Sequence, residues 1–193
     1  MQTTKDKIID VVLSHIKSDS SISDLTLSKI ATEANIGKST VYEHFHSKEE
    51  IIIETYKHLL NNYEQILTSP IASEKFKEAF IEQLKKILIV MKDAKIIMDA
   101  LLNQQQSAFM NIGDDIHKYA SKIQERMNHR FIDIFEMGVK EGVISPLIAH
   151  PHKGRVIQAL ISGLIYQYVN DDFDVTEEAL FELICEHVLL VLR

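Results

Sequence analysis

The stretch that decides the fold is TLSKIATEANIGKSTVYEHFHSKEEI, residues 26–51. Its apolar spacing predicts two very short helices joined by a tight turn. Thr26 is placed to cap the first helix, and Asn35 tolerates the left-handed backbone that the turn requires. Ser47 and Glu50 have the spacing of a capping box, which opens a long helix. Helices as short as the first two are unstable alone, so we expect the three to pack together and to present the middle helix outward.

This arrangement is typical of a helix-turn-helix, which inserts a short helix into the major groove of DNA. The stretch resembles the tetracycline-repressor (TetR) family of bacterial transcriptional regulators. The matching pieces are Ile30-Ala31-x-x-Ala34, Asn35-Ile36-Gly37, Thr40-Val41-Tyr42-Glu43-His44-Phe45 and Lys48-Glu49-Glu50-Ile51. The resemblance implies an all-α fold, in which a three-helix DNA-binding domain precedes a helical domain for ligand binding and dimerisation.

Seven side chains are predicted to contact DNA, three from the first turn of the middle helix and four implied by the resemblance. They are Lys38, Ser39 and Thr40, followed by Tyr42, His44, Lys48 and Thr26. Side chains in the first turn can reach base edges and phosphates. By resemblance, the other four contact phosphates. A lysine at the start of a helix suits this role, because a phosphate also meets the free N–H groups there.

Two residues depart from the family pattern. Asn35 replaces the usual glycine, which its tolerance of the left-handed backbone makes harmless. Glu43 stands where a basic or aromatic residue is common, and a carboxylate beside phosphates is repulsive, although it can accept a hydrogen bond from a cytosine amine. The chain has a net charge of −7, from 21 basic and 28 acidic residues, which argues against binding through a bulk positive field. We therefore expect binding to depend on dimerisation, and keep open a protein-interaction module or co-regulator that binds no operator itself.

Composition extends the all-α prediction to the whole chain. Its 193 residues contain only six glycines and three prolines, too few turn formers for a sandwich or barrel, and 46% are hydrophobic. We divide the chain into a helix-turn-helix domain, residues 1–47, and an effector-binding and dimerisation domain, 48–193, connected by helix 48–67. About nine helices are expected. Those after residue 67 are predicted over 76–91, over 96–106, from Asp114 to near Gly142, from Pro151 to Val169, and from Asp174 onward.

The resemblance implies a homodimer held by the last two long helices. One of these helices carries a face of small and apolar residues, and the other is apolar over more of its circumference than one neighbour needs. The predicted interface comprises Val156, Ala159, Leu160, Gly163, Leu180, Ile184 and Val188.

An effector pocket is predicted from soft apolar residues combined with a few polar groups, the composition typical of small-molecule sites. The candidate lining residues are Met98, Asn103, Met127, Phe131, Gln158 and Tyr166. The alternative is that the apolar members are core residues and the polar ones lie at the surface. The sequence thus indicates a ligand-responsive regulator, a repressor that binds a pseudo-palindromic operator as a homodimer and is released by a small-molecule effector.

Other functions find little support. Cys185 is the single cysteine, which excludes an internal disulfide, and its apolar surroundings favour a buried structural thiol. His44 and His46, or His150 and His152, have chelating spacing, but nothing positions further ligands. The acidic run 170–174 lacks the glycine and distal glutamate of a calcium loop. Phosphate loops and nucleophile motifs are absent, so we expect no enzyme, cofactor or metal. With no leader and apolar runs of only about five residues, we expect a cytoplasmic protein without a membrane partner.

Overall fold

The computed structural model describes residues 2–18, 24–103, 113–145 and 152–192, with the side chains of all of these except 96–103, 113–117 and 120. Within these ranges the fold is all-α, as predicted. The helices are α1 (Thr4–Lys17), α2 (Leu27–Glu33), α3 (Lys38–His44), α4 (Lys48–Thr68), α5 (Phe76–Asn103), α6 (Gly113–Lys140), α7 (Lys153–Val169) and α8 (Glu177–Leu192). None of these helices combines the length and apolar character that a membrane span requires.

The helix count differs from the prediction because α5 is one continuous helix. The sequence analysis placed a break between residues 91 and 96, but helical backbone runs through Lys92, Asp93, Ala94 and Lys95. This segment contains neither glycine nor proline, and alanine and lysine are strong helix formers, so nothing in it stops the helix. The predicted helix end at 104–106 and the predicted start at Pro151 lie outside the described residues.

A second correction concerns the start of α8. The sequence analysis placed the cap at Asp174, whereas the backbone N–H of Ala179 donates to the Thr176 hydroxyl oxygen at 3.2 Å. Thr176 precedes the first helical residue directly, and its carbonyl accepts from the N–H of Leu180 at 2.9 Å. A threonine at this position is a preferred N-cap.

The chain divides into two compact units, of which the first comprises Met1–Glu64 and Ala94–Lys122. Within it, α2 packs against both α1 and α3. Thr3 caps α1 through a complete capping box with Asp6, as the sequence suggested. The buried faces of the three short helices and of the start of α4 form the core, with Ile8, Val12, Ile16, Ile30, Val41, Phe45 and Ile51 almost fully buried.

The second unit comprises Gln65–Asp93 and Ile123–Arg193. In it α7 packs against α8. Phe76, Phe80, Phe131 and Phe135 form an aromatic cluster with ring centroids 5.8–6.5 Å apart. Cys185 is buried, as predicted, and burial raises the pKa of its thiol.

The C-terminal end of α4 is held by side chains of α5 and α6 within this second unit. Gln83 donates to the carbonyl of Leu67 at 3.1 Å, Arg130 to that of Thr68 at 2.7 Å, and Lys86 to those of Ser69 and Pro70 at 3.0 and 2.8 Å. These donors satisfy carbonyls that a helix end leaves without intrahelical partners, and the two cations favour the negative end of the helix dipole. We call Gln83, Lys86 and Arg130 the α4 clamp.

Candidate nucleic-acid interface

The turn between α2 and α3 is fixed by the local signals seen in the sequence. The Thr26 hydroxyl oxygen accepts from the backbone N–H of Lys29 at 3.2 Å, which caps α2. Asn35 has a φ of +53°, the left-handed conformation expected of it. Gly37 precedes α3 as its N-cap. These features confirm the predicted helix-turn-helix geometry and set the direction in which α3 leaves α2.

One side of α3 is anchored in the core. Val41 and Phe45, one helical turn apart, are fully buried. Because side chains four residues apart share a helix face, these two residues hold the helix against the unit. The remaining circumference of α3 faces outward.

The predicted DNA-contacting residues of α3 lie on this outward surface. Lys38, Ser39 and His44 are exposed, and Thr40 is half-buried. Tyr42 is 48% exposed, and the Lys38 ammonium lies 6.0 Å from the centroid of its ring, within range of a cation–π interaction. The structure therefore groups positive charge, hydroxyl donors and an aromatic ring on one short helix.

Lys48 lies at the start of α4 and is half-buried. Burial lowers the pKa of its ammonium, whereas the charges of Glu49 and Asp24 act in the opposite sense. The backbone N–H of Glu50 donates to the Ser47 hydroxyl at 3.1 Å, as the predicted capping box requires. The return bond differs, because the Glu50 carboxylate accepts from the N–H of His46 at 2.6 Å. This contact ties the α3–α4 connection to the first turn of α4.

Two polar contacts that the sequence analysis missed brace this unit. Lys5 of α1 donates to Glu54 of α4 at 2.8 Å and lies 5.4 Å above the ring of Phe45. The hydrogen bond from Lys5 is the main cause that holds the pKa of Glu54 below its ordinary value. His15 of α1 pairs with Glu33 of α2 at 2.6 Å. The partners are 49 and 18 residues apart, so no local pattern signals either contact.

The predicted effector residues are only partly brought together. Met127 is buried on α6 and its sulfur accepts from the Gln83 amide at 3.5 Å, while Phe131, one turn later, stacks on Phe135 within the aromatic cluster. Gln158 donates to Gln124 at 3.2 Å at the surface. Tyr166 is 59% exposed on α7. The side chains of Met98 and Asn103 lie outside the described residues.

A surface cleft in the second unit involves none of these six residues. Its volume is about 540 Å³, and its lining comprises Lys92, Tyr168, Val169, Asp171, Phe173, Asp174 and Val175. Lys92 is held there by an ion pair with Glu177 at 2.5 Å and lies 5.5 Å from the centroid of the Tyr168 ring.

The predicted interface residues fall into two groups. On α7, Val156, Ala159 and Gly163 are exposed and Leu160 is half-buried. On α8, Leu180, Ile184 and Val188 are fully buried in the core of this single chain. The prediction for these three is corrected, because residues already covered within one chain have no surface to offer a second copy. The outward side of α8 instead carries Ala179, Leu183, Glu186 and Leu190, of which Leu190 is 66% exposed.

Comparison with known proteins supports this geometry. Residues 18–55 match the family model of bacterial regulatory proteins of the tetR family. No match was found among curated protein sequences. A TetR transcription regulator from Haloarcula marismortui is 17% identical, with 98% of each chain covered and a TM-score of 0.65. The regulator FadR from Bacillus subtilis, in complex with stearoyl-CoA, is 18% identical, with 97% of this chain and 98% of that chain covered and a TM-score of 0.61. A putative transcriptional regulator from Pseudomonas aeruginosa is 16% identical, with 93% and 86% covered and a TM-score of 0.62. At these identities the structures establish the shared fold.

Proposed function

We propose that this chain, which has the N-terminal domain and the fold of the TetR-family transcriptional regulators, is a ligand-responsive repressor. It binds a pseudo-palindromic operator as a homodimer and leaves it when a small molecule binds its C-terminal domain. The observation that carries the proposal is the exposed face of α3. Val41 and Phe45 fix this short helix in the core, and Lys38, Ser39 and Tyr42 stand free at the surface.

The charge of the interface supports binding by two copies rather than one. Residues 26–48 contain three lysines and two glutamates, a net charge of +1. Phosphate contacts supply most of the non-specific affinity for DNA, so a surface with few cations binds weakly alone. A two-fold dimer doubles the contacts and places two copies of α3 in major grooves about 34–36 Å apart.

The surface of α7 supplies a face for such a dimer. Val156, Ala159, Gly163 and Tyr166 recur at helical spacing and are all exposed, and Val156 and Tyr166 are 50% and 59% exposed. Together with the outward side of α8 they form a mixed apolar face on two packed helices. Small residues at its centre allow the backbones of two copies to approach closely. A second copy of the chain is the occupant that we propose for this face.

Effector control would act through α4. This helix begins at Lys48, beside the DNA-contacting residues, and ends in the α4 clamp. An effector shifts the protein toward the released state only when it binds that state more tightly than the DNA-bound state. The FadR structure contains stearoyl-CoA, which makes an acyl-CoA the first probe to try. Met127 and Phe131, soft apolar residues of α6, remain proposed members of the binding site.

The proposal is tested by selecting randomised duplex DNA on the purified protein at near-physiological salt, with Lys48→Ala beside it. We expect a palindrome with half-sites about one helical turn apart. Lys48→Ala should weaken binding to all sequences and reduce the slope of log affinity against log salt by about 0.9, the value for one phosphate contact. Lys85→Ala removes an exposed lysine of α5 and serves as the matched control.

A protein-interaction module that binds no operator is the alternative, favoured by the net charge of −7. It predicts that wild-type protein enriches no sequence, and that binding to a protein partner survives Lys48→Ala. Adding stearoyl-CoA to the selected operator complex then tests release, with a shorter acyl-CoA as the comparison. Enrichment of a palindrome without any difference between Lys48→Ala and wild type would contradict the role of Lys48 alone.

A further inference from the structure

Glu43 occupies the centre of the exposed face of α3. Successive helical residues are about 100° apart, which places Ser39 and Glu43 close to opposite the buried Val41. Both residues are exposed, and they lie four residues apart on one ridge of the helix. A helix that enters the major groove with Val41 and Phe45 toward the protein therefore directs Ser39 and Glu43 toward the base pairs. Lys38 and Tyr42 lie to one side of this ridge.

The other glutamates of the helix-turn-helix region have structural partners. Glu33 pairs with His15, Glu50 accepts from the N–H of His46, and Glu54 accepts from Lys5. Among the described residues, Glu43 makes no comparable hydrogen bond or ion pair with another part of the chain. Its carboxylate is therefore available to a ligand of the exposed face, and folding alone does not account for a negative charge at this point.

The chemistry of a carboxylate restricts what Glu43 can accept in a groove. An ionised carboxylate only accepts hydrogen bonds. In the major groove, cytosine presents its N4 amine as a donor, whereas guanine presents two acceptors, N7 and O6, that repel a carboxylate. Adenine presents one donor beside the acceptor N7, and thymine an acceptor and a methyl group. Cytosine is the base edge that best matches Glu43.

We propose that Glu43 is a specificity-determining residue, which accepts a hydrogen bond from the N4 amine of a cytosine in each operator half-site. The inference rests on the proposed function, because it assigns a base to the DNA interface argued above. Repulsion between Glu43 and the phosphates lowers binding to every sequence, and Lys38, which lies beside the ridge over Tyr42, offsets part of it. Glu43 thus contributes selectivity at the expense of general affinity.

The experiment is a half-site selection with four proteins: wild type, Glu43→Gln, Glu43→Ala and Glu49→Gln. Glutamine pairs with the N6 and N7 atoms of adenine, so Glu43→Gln should convert one cytosine in each half-site to adenine. Glu43→Ala should lose the preference at that position. Glu49→Gln removes the same charge from an exposed residue in the first turn of α4, and should retain the wild-type motif. Discrimination at the position should be about tenfold or more in wild type.

The outcomes separate this inference from the function on which it rests. If all four proteins enrich the same motif, and the Glu43 variants only bind every duplex more tightly, Glu43 acts through phosphate repulsion and the inference is wrong while the regulator proposal stands. If a motif appears and none of its positions changes with residue 43, the result is the same. If no protein enriches any sequence, the proposed function fails and the inference with it.

Discussion

Gly138 shows how one residue fixes a turn in the second unit. After α6 ends, the chain folds back and the N–H groups of Val143 and Ile144 donate to the Gly138 carbonyl at 3.0 and 3.2 Å. A Cβ atom on Gly138 would lie 2.5 Å from Cδ1 of Ile144 and 3.0 Å from the ring of Phe76. Both neighbours are buried, so they have little room to move. The hydrogen of glycine is what lets the turn pack on the helix.

We therefore predict that Gly138→Ala destabilises the protein, although alanine is the better helix former by about 1 kcal/mol. Overpacking a core costs about 1–3 kcal/mol, so the net loss in the free energy of unfolding should be about 1–2 kcal/mol. Urea denaturation measures it. Gly154→Ala is the control, because a Cβ at Gly154 meets nothing within 4 Å. Equal stability of the two variants would contradict the prediction.

The residues that the sequence predicted correctly are those whose signals are local. Thr26, Asn35 and Ser47 act on backbone atoms within a few residues, so their chemistry alone specifies a cap or a turn. Gly142 likewise has the left-handed φ, +74°, expected at a helix end. Gly138 gave no such signal, because its importance comes from Phe76, which is distant in sequence. Exposure decided the other misjudged residues, since periodicity marks an apolar face without saying what covers it.

At the scale of the element, α4 has different kinds of stabilisation at its two ends. Its start is closed by the local cap of Ser47 and Glu50. Its last turn depends on the α4 clamp, whose hydrogen bonds join residues 16–62 positions apart. The helix-turn-helix and the start of α4 were predictable for this reason, whereas the clamp was not. The missed continuity of α5 has the opposite cause: its sequence holds no breaker, and an irregular apolar pattern was given too much weight.

The clamp leads to a prediction about the last turn of α4. Arg130→Met keeps much of the side-chain stem but removes the donor to the Thr68 carbonyl, so the turn should open more readily. Hydrogen bonds from charged groups contribute about 1.5–3 kcal/mol, and we expect a loss in this range or slightly below, since the contact is only partly buried. Amide hydrogen exchange of residues 62–70 should accelerate, while exchange in α1–α3 stays unchanged.

The matched control for this prediction is Lys85→Met, which removes a cation of α5 that is exposed and is not part of the clamp. It should leave the exchange of residues 62–70 as in wild type. The double variant Lys86→Met with Arg130→Met should open the turn further, because Lys86 holds the next two carbonyls. Unchanged exchange in the double variant would show that the clamp does not stabilise the end of α4.

For the whole molecule, the main question is how a chain with a net charge of −7 holds DNA. The proposed answer is that two copies bind together, so that two weak half-site contacts become one strong interaction through a high effective concentration. The buried positions of Leu180, Ile184 and Val188 change the details of the interface but not this argument. The exposed residues of α7 and α8 form a different, adjoining face of the same two helices.

Gly163 offers a sharp test of that face. A Cβ there meets nothing within 4 Å, so Gly163→Arg should fold normally in a single chain and retain its helical circular dichroism. At a proposed dimer contact, however, the arginine prevents close approach. We expect light scattering to show wild-type dimers and Gly163→Arg monomers, with operator affinity reduced about 100-fold or more as avidity is lost. Gly154→Arg, an equally open position near the start of α7, should remain dimeric. A dimeric Gly163→Arg, or a monomeric wild type at the same concentration, would place the contact elsewhere or remove it, and specific DNA binding would then require another source of affinity.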